Sequence, residues 1–416
     1  MTRTPVERLT ALTFFDVEDY LALNPDLRGG GVDPAQHAFR HGLAEGRTAF
    51  RREAIARAWG QASAGPATPT PTETSSVDAA AAACPPVSIL VSTGSDPSDI
   101  ALAADLAESL TRSGVAAVLK DETSSPDGDH GLPVVVAPHS FFDVGLGALW
   151  ARSDAVERSL VFNTAPLHHR AFERSLPWLL RSRGVLDASP QAARIFQASG
   201  WPALLMRFAT PLRSRWLAPT DLGHPLVQAL PGVARRLDFD PWDWETRPVD
   251  IAFFDPLSAR RSAVLRRHAA ALAERPCFVY GAQGGRDSLD ESVERRSHHR
   301  LAGHVSGHAK ITLQLAEDEF PQFDWHRCVT QIMASGSLVV SDTPGSHPDD
   351  DIGRHVFRDD ARHLAALTRW LLDDADGRRA ASSARESAAR AIDRTDPVFS
   401  ATLRSFLSAA ARPNTA

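Results

Sequence analysis

The chain has 416 residues, 43% of them hydrophobic and 23% charged, enough for two or three globular domains. A formal net charge of -6 speaks against a nucleic-acid surface. No run approaches the length of a membrane span, and the first residues lack the apolar core of a signal peptide. Cys84, Cys277 and Cys328 are scattered, with neither a disulfide framework nor zinc spacing, which points to a reducing compartment. The expectation is a cytoplasmic protein without a transmembrane segment; peripheral membrane association stays open. Lysine occurs only at Lys120 and Lys310, a composition that fits the codon bias of a GC-rich genome.

A small helical module is expected over 1–60. Its first helix ends at Asn24-Pro25, and Asp33-Pro34 supply the N-cap and first position of the next. A unit of that size buries little core alone. Residues 61–86 are rich in Pro, Thr and Ala without periodicity and read as a disordered linker.

From residue 87 strands alternate with helices. Strands are expected at 87–91, 115–119, 133–137, 159–162 and 184–186, with an amphipathic helix at 99–113 whose apolar face is Leu102, Ala103, Leu106 and Leu110. Alternation of this kind predicts a parallel, doubly wound sheet. The domain spans 87–209, and a Pro/Trp-rich connection covers 210–247. A second α/β domain follows over 248–395, with strands at 249–254, 277–280, 311–315 and 337–340. A final helix and tail occupy 396–416, and that helix is expected to pack back across the domains.

Within the second domain, 325–333 carries apolar Trp325, Cys328, Val329, Ile332 and Met333 at the spacing of one helix face, and polar His326, Arg327, Thr330 and Gln331 on the other. Ser335-Gly336 stops that helix. A short buried strand then ends at Ser341-Asp342, the end at which open α/β sheets place ligands.

Two Rossmann-like halves followed by Met333-Ala334-Ser335-Gly336-Ser337-Leu338-Val339-Val340-Ser341-Asp342 resemble a GT-B glycosyltransferase. Its flavour is that of the bacterial family-1-like group related to spore-coat glycosyltransferases. Many members carry Glu-Ala-Met-Ala-(Ser/Cys)-Gly where this chain has Gln331-Ile332-Met333-Ala334-Ser335-Gly336. The family's glutamate accepts hydrogen bonds from the donor ribose; an amide loses the charge-assisted strength. The N-terminal segment is similar to a module often attached to bacterial polysaccharide glycosyltransferases. The matching residues are Asp19, Tyr20, Asn24, Pro25, Asp26, His41, Gly42, Glu45, Gly46 and Arg47.

The resemblance implies an α/β fold of GT-B architecture, two Rossmann-like domains facing a cleft, plus the helical module. It implies a metal-independent glycosyltransferase, with no cofactor, that moves sugar from a nucleotide-sugar donor to a hydroxyl of a glycan, glycoprotein or small-molecule acceptor. Cell-envelope polysaccharide biosynthesis is the implied setting. Two alternatives stand beside it: a nucleotide-sugar-modifying enzyme of the same fold, epimerase-like, and a non-catalytic GT-B-like scaffold, prompted by Gln331.

Donor contacts are expected from Arg260 and Arg261, which open the helix after strand 249–254; from Glu319 in an acidic strand-end loop; and from His326, Arg327, Gln331, Ser335 and Gly336. The candidate base is His139, at the end of strand 133–137, with an unperturbed pKa suited to proton abstraction near neutrality. Asp143 is the second choice; Asn163 and His168 are further strand-end candidates. His37 and His41 have metal-ligand spacing but no third ligand, and Asp349-Asp350-Asp351 read as a solvated turn. The glycine-rich loop 281–285 lacks the lysine and serine of a P-loop.

Overall fold

The computed structural model describes residues 3–64, 84–208, 227–228, 230, 244–281, 301–320, 322–342, 353–393 and 397–412. Most of the expected linker and interdomain connection, Asp349 to Asp351 and the loop 282–285 lie outside them. The chain divides into two compact units, one formed by 1–207 with 395–416 and the other by 208–394.

Unit 1 is built on six parallel strands: β1 (Val87–Leu90), β2 (Ala117–Lys120), β3 (Leu132–Val136), β4 (Leu160–Asn163), β5 (Gly184–Asp187) and β6 (Ala203–Leu205). Their order is β2-β1-β3-β4-β5-β6. β1, β3, β4 and β5 are buried at every residue, as strands covered on both faces must be. β2 is an edge strand and leaves Val118 and Leu119 exposed. The helix Pro97–Arg112 starts where Asp96 caps the amide of Ser98, and it buries the expected Leu102, Ala103, Leu106 and Leu110.

The N-terminal helices are part of unit 1, and their core is completed by the helix Arg170–Arg181. Phe14 and Phe50 both pack on Phe172, and the buried Arg8 guanidinium donates to the carbonyls of Leu180 and Ser182. The motif residues of the module hold its own turns. Asn24 donates to the carbonyls of Tyr20 and Thr48, Arg47 pairs with Asp26 and Glu45, and Asp19 pairs with Arg51. Gly42 lies against Tyr20, where an added Cβ would sit 2.1 Å from the hydroxyl. The last helix, Pro397–Ala411, belongs to this unit too: it buries Leu403 and Leu407, and Arg404 donates to the carbonyl of Ser113.

Unit 2 has five parallel strands: β7 (Val249–Phe254), β8 (Cys277–Tyr280), β9 (Ala309–Gln314), β10 (Leu338–Ser341) and β11 (Val356–Arg358). Their order is β11-β10-β9-β7-β8. One face buries Ile251, Phe253, Ile311, Leu313 and Val340 under the helices Ala259–Ala273, Leu364–Asp373 and Ala375–Asp393. Alternate residues of the same strands, such as Ala252, Phe254 and Val339, pack on the other face.

The α/β class is as expected, and two short strands, β6 and β11, add to the expected set. One local difference stands out. The expected helix over 325–335 is a single α-turn at Trp325–Arg327, a π-helical turn at Cys328–Ile332 and a 3-10 turn at Met333–Ser335. Gly336 ends it at φ 75°, a left-handed conformation that a Cβ disfavours. His326, Thr330 and Gln331 are buried, so the polar side of this segment is not a solvated helix face.

Candidate functional site

Counted from its own first strand, the unit 1 sheet has the order 2-1-3-4-5-6 and the unit 2 sheet 2-1-3-4-5, as in doubly wound folds. Such a sheet reverses direction beside its first strand, and the loops at the carboxyl ends of the two strands there diverge into a crevice. In unit 1 that point lies between β1 and β3; in unit 2 it lies between β7 and β9.

At the unit 1 point, β3 runs into the short helix Pro138–Phe141 through Ala137, with φ 52° and ψ 63°. Among the described residues it is the only non-glycine residue with positive φ, a conformation that costs about 1–2 kcal/mol. This turn places His139 directly beyond the strand end. Its Nδ1 lies 3.3 Å from the hydroxyl of Ser175, and its backbone carbonyl accepts a hydrogen bond from Arg174 at 3.1 Å. Arg174 also pairs with Asp143 at 2.7 Å. Burial pulls the His139 pKa below the usual histidine value, and the Arg174 charge adds to the pull; Asp143 and Asp96 oppose it. The imidazole is therefore neutral at neutral pH, the form a general base requires. Asp143 is paired with Arg174 and so is held beside His139.

The loop after β1 is fastened beside it. Thr93 donates its amide and hydroxyl to Glu122, at 2.8 and 2.7 Å. Further along the same sheet edge, Asn163 and Asp187 end β4 and β5 as a buried pair, Nδ2 to Oδ2 2.8 Å. Burial pushes Asp187 up to about 7, against the hydrogen bonds from Asn163 and the backbone amides of Ser189 and Ala188.

At the unit 2 point, Arg260 and Arg261 open the helix Ala259–Ala273, which Ser258 caps. Arg260 Nη1 bonds Asp342 Oδ2 at 2.6 Å and the carbonyl of Ala316 at 3.2 Å. Its Nε reaches Glu319 at 3.1 Å. Asp342 directly follows β10 with its side chain 0% exposed, and its other oxygen accepts the amide of Ala316 at 2.8 Å. Glu319 is 83% exposed, so the two carboxylates on Arg260 differ in kind: one fixes it from inside, the other covers it from solvent. Arg261 is a structural clamp. It donates to the carbonyls of Leu315 and Pro256, both at 3.0 Å, and lies 3.6 Å from Asp255.

His326, Gln331, Ser335 and Gly336 form a group of their own along 325–336. His326 meets Phe208 edge-on at 4.6 Å. The Ser335 hydroxyl donates to the carbonyl of Gln331 and lies 3.2 Å from that of Gly303, and its own backbone carbonyl accepts from Arg247 at 2.7 Å. The carbonyl of Gly336 accepts from Arg385 at 3.1 Å. Ser335 and Gly336 thus build the turn. The side chain of Arg327 lies outside the described residues. The rings of His37 and His41 are tilted by 49° with centroids 5.6 Å apart, and His37 Nδ1 lies 3.0 Å from the Tyr20 hydroxyl.

The structure therefore brings together Arg260, Arg261 and Glu319 in one unit, and His139 and Asp143 in the other. Sequence reasoning missed Arg174 and Ser175, which sit mid-helix with no local motif. It placed Asp342 at a ligand-binding strand end without pairing it to Arg260, 82 residues away.

No protein-family model matches the chain, and no curated protein matches it. Among solved structures, a crystal structure of an alpha1,3-fucosyltransferase is similar at TM-score 0.35 and 9% identity, over 76% of this chain and 92% of that one. A likeness of that size carries no weight for the fold, which rests on the two sheets and their strand orders. Among the described residues no helix is long and apolar enough to cross a membrane.

Proposed function

We propose that the chain is a glycosyltransferase, moving a sugar from a nucleotide-sugar to a hydroxyl of a glycan, glycoprotein or small molecule. The observation that supports this reading is the placement of a neutral imidazole and of a fixed guanidinium at the switch points of two parallel sheets. The two groups match the two charges that glycosyl transfer must manage. As the acceptor oxygen bonds the anomeric carbon, its proton passes to His139. As the bond from that carbon to phosphate breaks, the leaving nucleotide gains negative charge, which Arg260 and the N-terminus of its helix stabilise. Arg327, Gln331 and His326 are assigned to the donor as well.

The test is a panel of nucleotide-sugars read by thermal shift and by release of the free nucleotide. One donor is expected to raise the melting temperature. Arg260→Ala is expected to weaken that donor at least about tenfold, the loss of one hydrogen bond to a charged group. Full affinity in the variant would remove Arg260 from the site. Gln331 favours a second reading, a non-catalytic scaffold, because an amide stands where the family carries a carboxylate. That reading predicts no thermal shift with any nucleotide.

A further inference from the structure

We infer that Ser175 is a positioning residue that sets the tautomer of His139; the inference rests on the role of His139 proposed above. Ser175 is 0% exposed, inside the helix Arg170–Arg181. Its hydroxyl has one proton. That proton is donated to the carbonyl of Ala171, one turn back, at 3.0 Å. The oxygen therefore has only lone pairs left to offer His139 Nδ1, 3.3 Å away. The contact is a hydrogen bond only if Nδ1 carries the proton and donates it. In a neutral imidazole this leaves Nε2 unprotonated, and Nε2 is the nitrogen that takes a proton.

Three features keep this arrangement in place. Ala137, in its left-handed conformation, fixes where His139 leaves the strand. Arg174, the neighbour of Ser175, holds the His139 carbonyl and so ties the turn to the same helix that presents the hydroxyl. Burial and the Arg174 charge keep the ring neutral, so that tautomer choice and not charge decides its chemistry. Without the hydroxyl, nothing in this contact favours Nδ1–H, and the Nε2–H form competes. That form offers a donor where the reaction needs an acceptor.

The test is long-range proton–nitrogen correlation spectroscopy on the full-length protein labelled at the histidine ring nitrogens. Loss of one spin system in His139→Gln assigns His139. In the wild type, near pH 7.5, the pattern expected is Nδ1 protonated and Nε2 bare. In Ser175→Ala the two nitrogens should converge toward a tautomer mixture, and Ser175→Thr should restore the wild-type pattern. With the nucleotide-sugar found by the panel, Ser175→Ala should lower kcat about tenfold with KM unchanged, a fraction of the total effect of a general base. A wild-type spectrum showing Nε2 protonated, or a Ser175→Ala spectrum identical to wild type, would overturn the inference whether or not the protein transfers sugar. Correct tautomers with no turnover of any nucleotide-sugar would instead count against the proposed function alone.

Discussion

Asp342 is the residue on which the unit 2 site turns, and Asp342→Ala is the substitution that measures it. Its carboxylate is fully buried and makes two hydrogen bonds, to Arg260 at 2.6 Å and to the amide of Ala316 at 2.8 Å. Hydrogen bonds to a charged group contribute about 1.5–3 kcal/mol each. Arg260 keeps two other partners, the Ala316 carbonyl and Glu319. Because Glu319 is 83% exposed, its ion pair contributes only about 0–1 kcal/mol. A loss of about 3 kcal/mol in unit 2 follows. Asp342→Asn keeps an acceptor for the Ala316 amide and should lose about half as much. The assay is hydrogen exchange across a urea series, read on peptides covering 309–316 and 338–342. A double-mutant cycle with Arg260→Ala should give a coupling of about 2 kcal/mol, within the range for residues in one network. A loss below about 0.5 kcal/mol, the size of an ordinary surface change, or zero coupling, would refute the picture of a guanidinium fixed from inside the sheet.

The two units should respond to pH in opposite senses. In unit 2, burial lowers His308 from 6.5 to about 4, with neighbouring His304 adding to the effect. The unfolded chain then binds a proton that the folded unit refuses, so unit 2 should lose about 3 kcal/mol as pH falls from 6.5 to 4. In unit 1, Asp187 rises from 3.8 to about 7, so stability should fall by about 4 kcal/mol as pH climbs through that window. Unit-resolved hydrogen exchange at pH 5 and pH 8 checks both signs, and parallel behaviour of the two units would contradict them. Gly42→Ala should destabilise the N-terminal helices by about 1–3 kcal/mol, since its Cβ would meet the Tyr20 hydroxyl 2.1 Å away. Tyr20→Phe in the same chain should recover part of the loss in a thermal melt.

Much of the fold was legible because its signals are local. The strands expected at 249–254 and 277–280 match β7 and β8 to the residue: β7 is buried at five of its six residues and reads as a short apolar run, while the half-exposed edge strand β8 is bounded by Pro276 and Gly281. The strands missed, β6 and β11, have three residues each, too few for periodicity to register. The segment 325–335 misled for the opposite reason. Its apolar spacing fits an α-helix, yet hydrogen bonds decide between α-, π- and 3-10 turns, and those depend on what packs around them. His326, Thr330 and Gln331, on the polar side of that pattern, are buried.

The sequence by itself determined the α/β class, most of the strands, and which residues stand just beyond strand ends, where His139, Arg260 and Glu319 were already visible. It did so because hydrophobic periodicity and caps act over a few residues. Only the tertiary structure decided the company those residues keep. Arg260 meets Asp342 across 82 residues, and His139 meets Ser175 across 36. No local pattern encodes such pairs, because the order of strands in a sheet, and not the order of residues in the chain, sets which strand ends are neighbours.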